Sequence, residues 1–219
     1  VRGLYKAEHD VRELFAKTKP CIAVLTESKV STDSPGWLQA MLSGYHTIHT
    51  PCYKGGVVLA VKDYLATQGH SCEMCIRDSC RTPPGRLAAA LLSLPQSCPL
   101  LIIGAYWPAG HDAEALRDRA GMEACVQSWQ AKHPEAVTLL LGDMNAAYFA
   151  DDRDEGHAYT ADTAFQAFCQ RAHLHTLAEQ RPRQRTFKTI SRIDDVLISA
   201  DIPGASTHVQ EHGGFSDHK

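Results

Sequence analysis

Leu139-Leu140-Leu141-Gly142-Asp143-Met144-Asn145 sets the frame for the chain. The leucines suit a buried strand, a glycine follows, and then an acid and an amide stand two positions apart. In an extended segment residues i and i+2 point to one side, so Asp143 and Asn145 are expected to aim at a single spot. At the far end of the chain stands Ser216-Asp217-His218. An acid, an amide and a distant Asp-His pair can together cleave a phosphate ester with a metal ion.

Working outward, the neighbouring segments read as alternating strands and helices. Asp112 to Lys132 has helical composition, with Leu116, Ala120, Cys125 and Trp129 as its candidate inner face, and Pro134 ends it. Leu87 to Leu94 and Leu100 to Tyr106 are apolar runs split by Pro95 to Pro99, a hairpin pattern. Val57 to Val61 follows Gly55-Gly56 as a strand, and Cys21 to Leu25 is another. Val11, Leu14 and Phe15 recur at helical spacing after Glu8 and Asp10, with Pro20 as terminator. Ser34-Pro35-Gly36 opens a turn or caps a helix over Trp37 to Leu42, Thr160 to His173 reads as a helix, and Thr186 to Phe187 and Ile193 to Ile198 as late strands. This irregular alternation predicts a layered α/β or α+β domain without internal repeats or linkers.

Bulk properties narrow the choices. A chain of 219 residues, 44% hydrophobic and 21% charged, is long enough for a substantial core. The net charge of −3 gives no global basic field for nucleic acid, so a local basic surface would be needed. No apolar run approaches the ~20 residues of a membrane span, and no targeting signal is visible. Eight scattered cysteines suit a reduced, intracellular protein, with Cys21 and Cys98 read as small buried hydrophobes.

Cys72, Cys75 and Cys80 cluster. They lack a second Cys or His pair at zinc-finger spacing, so residues 72–82 are expected to form a loosely packed loop without metal. Residues 73–79 resemble a translated transposon adapter of the kind used in sequencing libraries, whose frame gives Met-Cys-Ile-Arg-Asp-Ser.

Several segments, taken in order, resemble the endonuclease/exonuclease/phosphatase superfamily of metal-dependent, DNase I-like phosphoesterases. Val1-Arg2-Gly3-Leu4 resembles the tail of its first motif, and Leu25-Thr26-Glu27-Ser28-Lys29 its metal-binding Glu segment. Gly104-Ala105-Tyr106-Trp107-Pro108 resembles the Tyr-x-Pro segment, and Gly142-Asp143-Met144-Asn145 the Gly-Asp-x-Asn signature. Ser191-Arg192-Ile193-Asp194-Asp195-Val196-Leu197-Ile198-Ser199 and Ser216-Asp217-His218 complete the series. The resemblance implies an α+β fold, a four-layer sandwich of two packed β-sheets flanked by helices, with the active site at one rim. It also implies a single domain over 1–219 that is truncated at both ends. The first-motif Asn would precede Val1, and a last strand would follow Lys219.

Roles follow from the same resemblance. Mg2+ or Mn2+ would be held by Glu27, Asp143, Asn145, Asp217 and His218. Catalytic work would fall to Tyr106, Asp143, Asn145, Asp194 and His218. Asp143 would polarise water or protonate the leaving oxygen, Asn145 would bond a phosphate oxygen, and Asp194 would orient His218. Asp195 points the other way by strand alternation. The competing reading of Glu27 is a surface acid paired with Lys29.

The Gly-Asp-Met-Asn-Ala form and the Arg192–Ser199 segment are most similar to endonuclease domains of non-LTR retrotransposons. DNA is then the expected partner, and Arg181, Arg183, Arg185 and Lys188 a candidate basic rim. The chain would be a monomeric domain of a longer polyprotein with a reverse transcriptase, acting inside the cell and in the nucleus. The alternatives are a repair or general nuclease, a phosphatase of the same fold, or a truncated, inactive remnant that binds nucleic acid.

Overall fold

The structure, a computed structural model, describes residues 3–31, 35–52, 55–67, 72–74, 85–93, 97–153, 159–177, 193–201 and 205–206. Its first sheet contains β1 (Ile22–Thr26), β2 (Tyr45–Thr50) and β3 (Val57–Lys62), in the antiparallel order β1-β3-β2. The second contains β4 (Cys72–Met74), β5 (Leu87–Leu92), β6 (Leu100–Tyr106), β7 (Val137–Asp143), β8 (His175–Thr176) and β9 (Asp194–Ile198). Their order is β4-β5-β6-β7-β9-β8, with β6 parallel to β7 and the other neighbours antiparallel. The helices are α1 (Leu4–Thr18), α2 (Pro35–Met41), α3 (Asp63–Thr67), α4 (Ala113–Lys132) and α5 (Thr160–Arg171).

Uninterrupted apolar strands arise where both faces of a sheet are covered. In β3, Val58 and Ala60 face Leu4, Val11 and Leu38 of α1 and α2. Their neighbours Val57, Leu59 and Val61 face Ala88, Ala90 and Ile102 of the second sheet. In β5 and β6, Leu87, Ala89, Leu101 and Ile103 turn the opposite way, onto Met122, Val126 and Phe165 of α4 and α5. Helix, sheet, sheet and helix thus form four layers, the predicted architecture. The sheets approach closely at Gly104, where an added Cβ would lie 3.0 Å from methyl carbons of both Val24 and Val57.

Several expectations need correction. Helix α1 begins at Leu4, so Glu8 and Asp10 lie within it, and Glu8 bonds Arg12 one turn on at 2.9 Å. In α4 the inner face is Ala115, Arg119, Met122, Cys125, Val126 and Trp129, whereas Leu116 and Ala120 are exposed. Arg119 occupies the apolar stripe because its guanidinium donates to the carbonyls of Pro108 and Gly110 at 2.7 and 2.6 Å. Cys21 and Cys98 are exposed, while Cys125 and Cys169 are the buried thiols. Cys72–Met74 is a strand paired with Leu92–Ala90 instead of a loop, because β5 offers it a backbone edge. Cys75, Cys80 and Thr186–Phe187 lie outside the described residues. Strand β2, which alternation did not announce, buries Tyr45 and Ile48 three positions apart.

Gly142 is where the backbone admits no side chain. Its φ is 141°, and a Cβ would stand 2.1 Å from the carbonyl oxygen of Ala105, its partner on β6. Gly142→Ala should therefore cost roughly 3 kcal/mol or more of stability, read as a lowered midpoint in chemical denaturation. An unchanged midpoint would show that the β6–β7 ladder tolerates a Cβ there.

Candidate active site

The sheet register brings polar strand ends together. Tyr106 pairs with Asp143 across β6 and β7, and Asp143 pairs with Asp194 across β7 and β9. Residues opposite one another in neighbouring strands share a face. Leu141 and Leu100 pack between the sheets while Leu140 and Leu197 face the helices, so alternation places Tyr106, Asp143 and Asp194 on the inter-sheet side. Main-chain bonds extend the ladder past the strands, from Trp107 N to Asp143 O at 2.8 Å and from Met144 N to Ile193 O at 2.7 Å.

Glu27 reaches this rim from the first sheet. It follows β1, where Ser28 N and Lys29 N donate to the carbonyls of Gly56 and Gly55 at 3.1 and 2.8 Å. The start of α1 docks on the same segment through Leu4 N to Ser28 O at 2.8 Å. Tyr106 Oη donates to Glu27 Oε1 at 2.7 Å, tying one sheet to the other. Lys29 Nζ stands 3.8 Å from Glu27 Oε2, so the surface pair and the rim position coexist. Burial, then the bond to Glu27, then the charges of Glu27 and Asp143 hold the Tyr106 pKa well above the ordinary phenol value. The phenol stays protonated and acts as a donor.

Asn145 gets to its place by a route other than the predicted one. Strand β7 stops at Asp143, and Asn145 takes a left-handed φ of 45°. Its N–H donates to Asp143 Oδ1 at 2.9 Å, an Asx-type turn, and its Nδ2 donates to Trp107 O at 2.9 Å. Acid and amide are joined by a turn instead of sharing an extended face. Glu27 and Lys29 also have positive φ, 52° and 51°, so three of the five such non-glycine residues described flank this rim. Backbone strain of this kind concentrates where surrounding structure enforces a geometry.

Asp195 points away from the rim, is buried, and accepts from Thr176 Oγ1 at 3.0 Å and Val196 N at 2.8 Å. Val1, Asp217, His218 and the basic run from Arg181 to Lys188 lie outside the described residues. Among the described residues, no group of three or more His, Cys, Asp or Glu side chains is placed to hold a metal ion. Glu27, Asp143 and Asn145 all carry side-chain oxygens, the donor type that hard cations take.

Sequence reasoning passed over two residues beside the rim. Arg86 follows Gly85 at the mouth of β5 and lies over the Tyr106 ring, 5.0 Å from its centroid. Asp162, in the first turn of α5, is buried and accepts from Ala147 N at 2.7 Å, Tyr159 N at 2.9 Å and Arg153 Nη2 at 2.7 Å. It fastens the loop beyond Asn145 to the helix layer. An acid in a first helical turn is a capping signal, and a charged residue heading an apolar strand was the available hint for Arg86.

Two packed sheets flanked by helices, with polar residues at their strand ends, define a four-layer α+β sandwich. The sequence profile of the endonuclease/exonuclease/phosphatase family matches residues 1–218, and the chain belongs to that family. No curated protein sequence matches it. Among solved structures, it is similar to the 3'-5' exonuclease of Neisseria meningitidis, at 22% identity over 91% of this chain and 84% of that one, with a TM-score of 0.68. The AP endonuclease of Archaeoglobus fulgidus gives 18% identity, 91% and 84% coverage, and a TM-score of 0.70. The AP endonuclease of Leishmania major gives 17%, 90% and 75%, and 0.69. These likenesses establish the shared fold.

The Asp162 network yields a stability test. Its ion pair with Arg153 leaves the acid side chain 1% exposed and the guanidinium partner 17% exposed. Removing one partner of a buried pair costs roughly 3–5 kcal/mol, so Asp162→Ala should lower stability by that order. Faster hydrogen exchange at Ala147 N should accompany it. Unchanged exchange there would mean the loop is held by other contacts.

Proposed function

We propose that this chain is a metal-dependent phosphoric-diester hydrolase, a DNA endonuclease of retroelement type that nicks by hydrolysis. The observation that carries this reading is the Tyr106 hydroxyl bond to Glu27 across the two sheets, with Asp143 beside Tyr106 and Asp194 beside Asp143 in the strand register. Carboxylates placed side by side repel unless a cation or a proton compensates them. Glu27, Asp143, Asn145, Asp217 and His218 would hold Mg2+ or Mn2+, which when bound offsets negative charge on the phosphoryl oxygens.

The chain's own groups supply the remaining chemistry. Tyr106, kept protonated, holds Glu27 by its hydroxyl. The Asn145 amide uses one N–H on Trp107 O and keeps a second for a phosphate oxygen. Asp143 polarises the attacking water or protonates the leaving oxygen. Asp194 fixes the tautomer of His218, which partners the phosphate or the water. The retroelement assignment draws on the Gly142–Ala146 and Arg192–Ser199 segments. It makes DNA the substrate and a reverse transcriptase a neighbour in one polyprotein, with the nucleus as the place of action. Among the described residues no helix is long and apolar enough to cross a membrane.

A second reading, a repair nuclease or phosphatase, is favoured by the likeness to AP endonucleases and to a Neisseria 3' phosphatase bound to a product DNA hairpin. Supercoiled plasmid, an abasic duplex and a 3'-phosphorylated oligonucleotide separate the two. Plasmid nicking should need magnesium or manganese and stop with chelator. Asp143→Ala should slow it ~10²–10⁴-fold, the usual contribution of an acid–base group. Glu27→Ala should be partly rescued by higher magnesium. Cleavage confined to the abasic or 3'-phosphate substrate would select the second reading, and variants as active as the parent would remove the site assignment.

A further inference from the structure

Arg86 lies at the entrance to β5 and belongs to none of the roles assigned above. Its carbonyl accepts from Tyr106 N at 2.8 Å, so the two residues are bound through the backbone as well as stacked. The guanidinium carbon stands 5.0 Å from the Tyr106 ring centroid. Its Nε donates to Asp118 Oδ2 on α4 at 3.2 Å, and the two side chains are 24% and 19% exposed. Gly55 packs on the same ring, where an added Cβ would fall 3.1 Å from Cδ1. The ring is therefore confined by a bare stretch of backbone and by a cation that is itself anchored in the helix layer.

We propose that Arg86 is a positioning residue: pinned by Asp118, it holds the Tyr106 ring so that the hydroxyl stays on Glu27. The inference rests on reading the rim as a phosphodiesterase site. A planar guanidinium suits the task, because it can lie over an aromatic face while its edge bonds a carboxylate. A lysine could supply charge without that double geometry. The arrangement also ties α4, on the outer face of the second sheet, to a loop of the first sheet through three successive contacts: Asp118 to Arg86, Arg86 to Tyr106, Tyr106 to Glu27.

Two measurements on the full chain test it. The first labels the seven tyrosines with 3-fluorotyrosine and assigns the Tyr106 fluorine signal by its loss in Tyr106→Phe. Arg86→Gln should shift and broaden that signal while leaving the other tyrosine signals in place, and Asp118→Asn should move it the same way. The second compares plasmid nicking by Arg86→Gln, Tyr106→Phe and the double variant. Arg86→Gln should lose roughly 10-fold, and the double variant should be no slower than Tyr106→Phe alone. Losses that multiply would mean Arg86 touches the substrate itself and would overturn the proposal, as would an unmoved Tyr106 signal. A parent protein that cuts no DNA would remove the rim reading and the catalytic meaning of Arg86, while the fluorine signal would still decide whether Arg86 holds the ring.

Discussion

Tyr106 donates its hydroxyl proton to a Glu27 carboxylate that belongs to the opposite sheet. For that bond to exist, the sheets must sit at a fixed spacing and in a fixed register. The spacing comes from small residues at the layer interface, above all Gly104 against Val24 and Val57. The register comes from ladders that end together, with Tyr106, Asp143 and Asp194 as partners across three strands. Because Gly142 accommodates the Ala105 carbonyl, β6 and β7 stay paired to their last residues.

Charge sets the second constraint. Glu27 bonds Tyr106 at this rim, Asp143 and Asp194 follow in the strand register, and Lys29 and Arg86 are described cations beside Glu27 and Tyr106. Lys29 stands 3.8 Å from Glu27, a loose pair worth little in solvent. Arg86 is committed to Asp118 and the Tyr106 ring. Burial does most to raise the Tyr106 pKa, and the bond to Glu27 and the charges of Glu27 and Asp143 add to it.

The sequence was most legible where a strand is covered on both faces, as at Val57–Val61, Leu100–Tyr106 and Val137–Leu141. Such runs announce themselves, and the polar residues at their ends mark the rim. Reading failed where a single side chain countered the pattern. Arg119 sits in an apolar stripe because two loop carbonyls need a donor, which shifted the apparent face of α4 toward Leu116. Asn145 was expected to share an extended face with Asp143, yet the strand ends and a left-handed turn takes over. Arg86 was illegible because its value lies in a contact with a residue twenty positions on and a helix further still.

Among the described residues, the strands of the first sheet all lie between residues 22 and 62, whereas the second gathers strands spread from residue 72 to 198. Local pairings form quickly and distant ones slowly. During synthesis the three-stranded sheet can therefore close against α1 before β5 and β6 have been made. Its inner face, with Ile48, Val57, Leu59 and Val61, then waits uncovered in water. The same dry interface that fixes the rim is, for that interval, an adhesive surface. Chaperone demand and aggregation of nascent chains should concentrate on that early half of the protein.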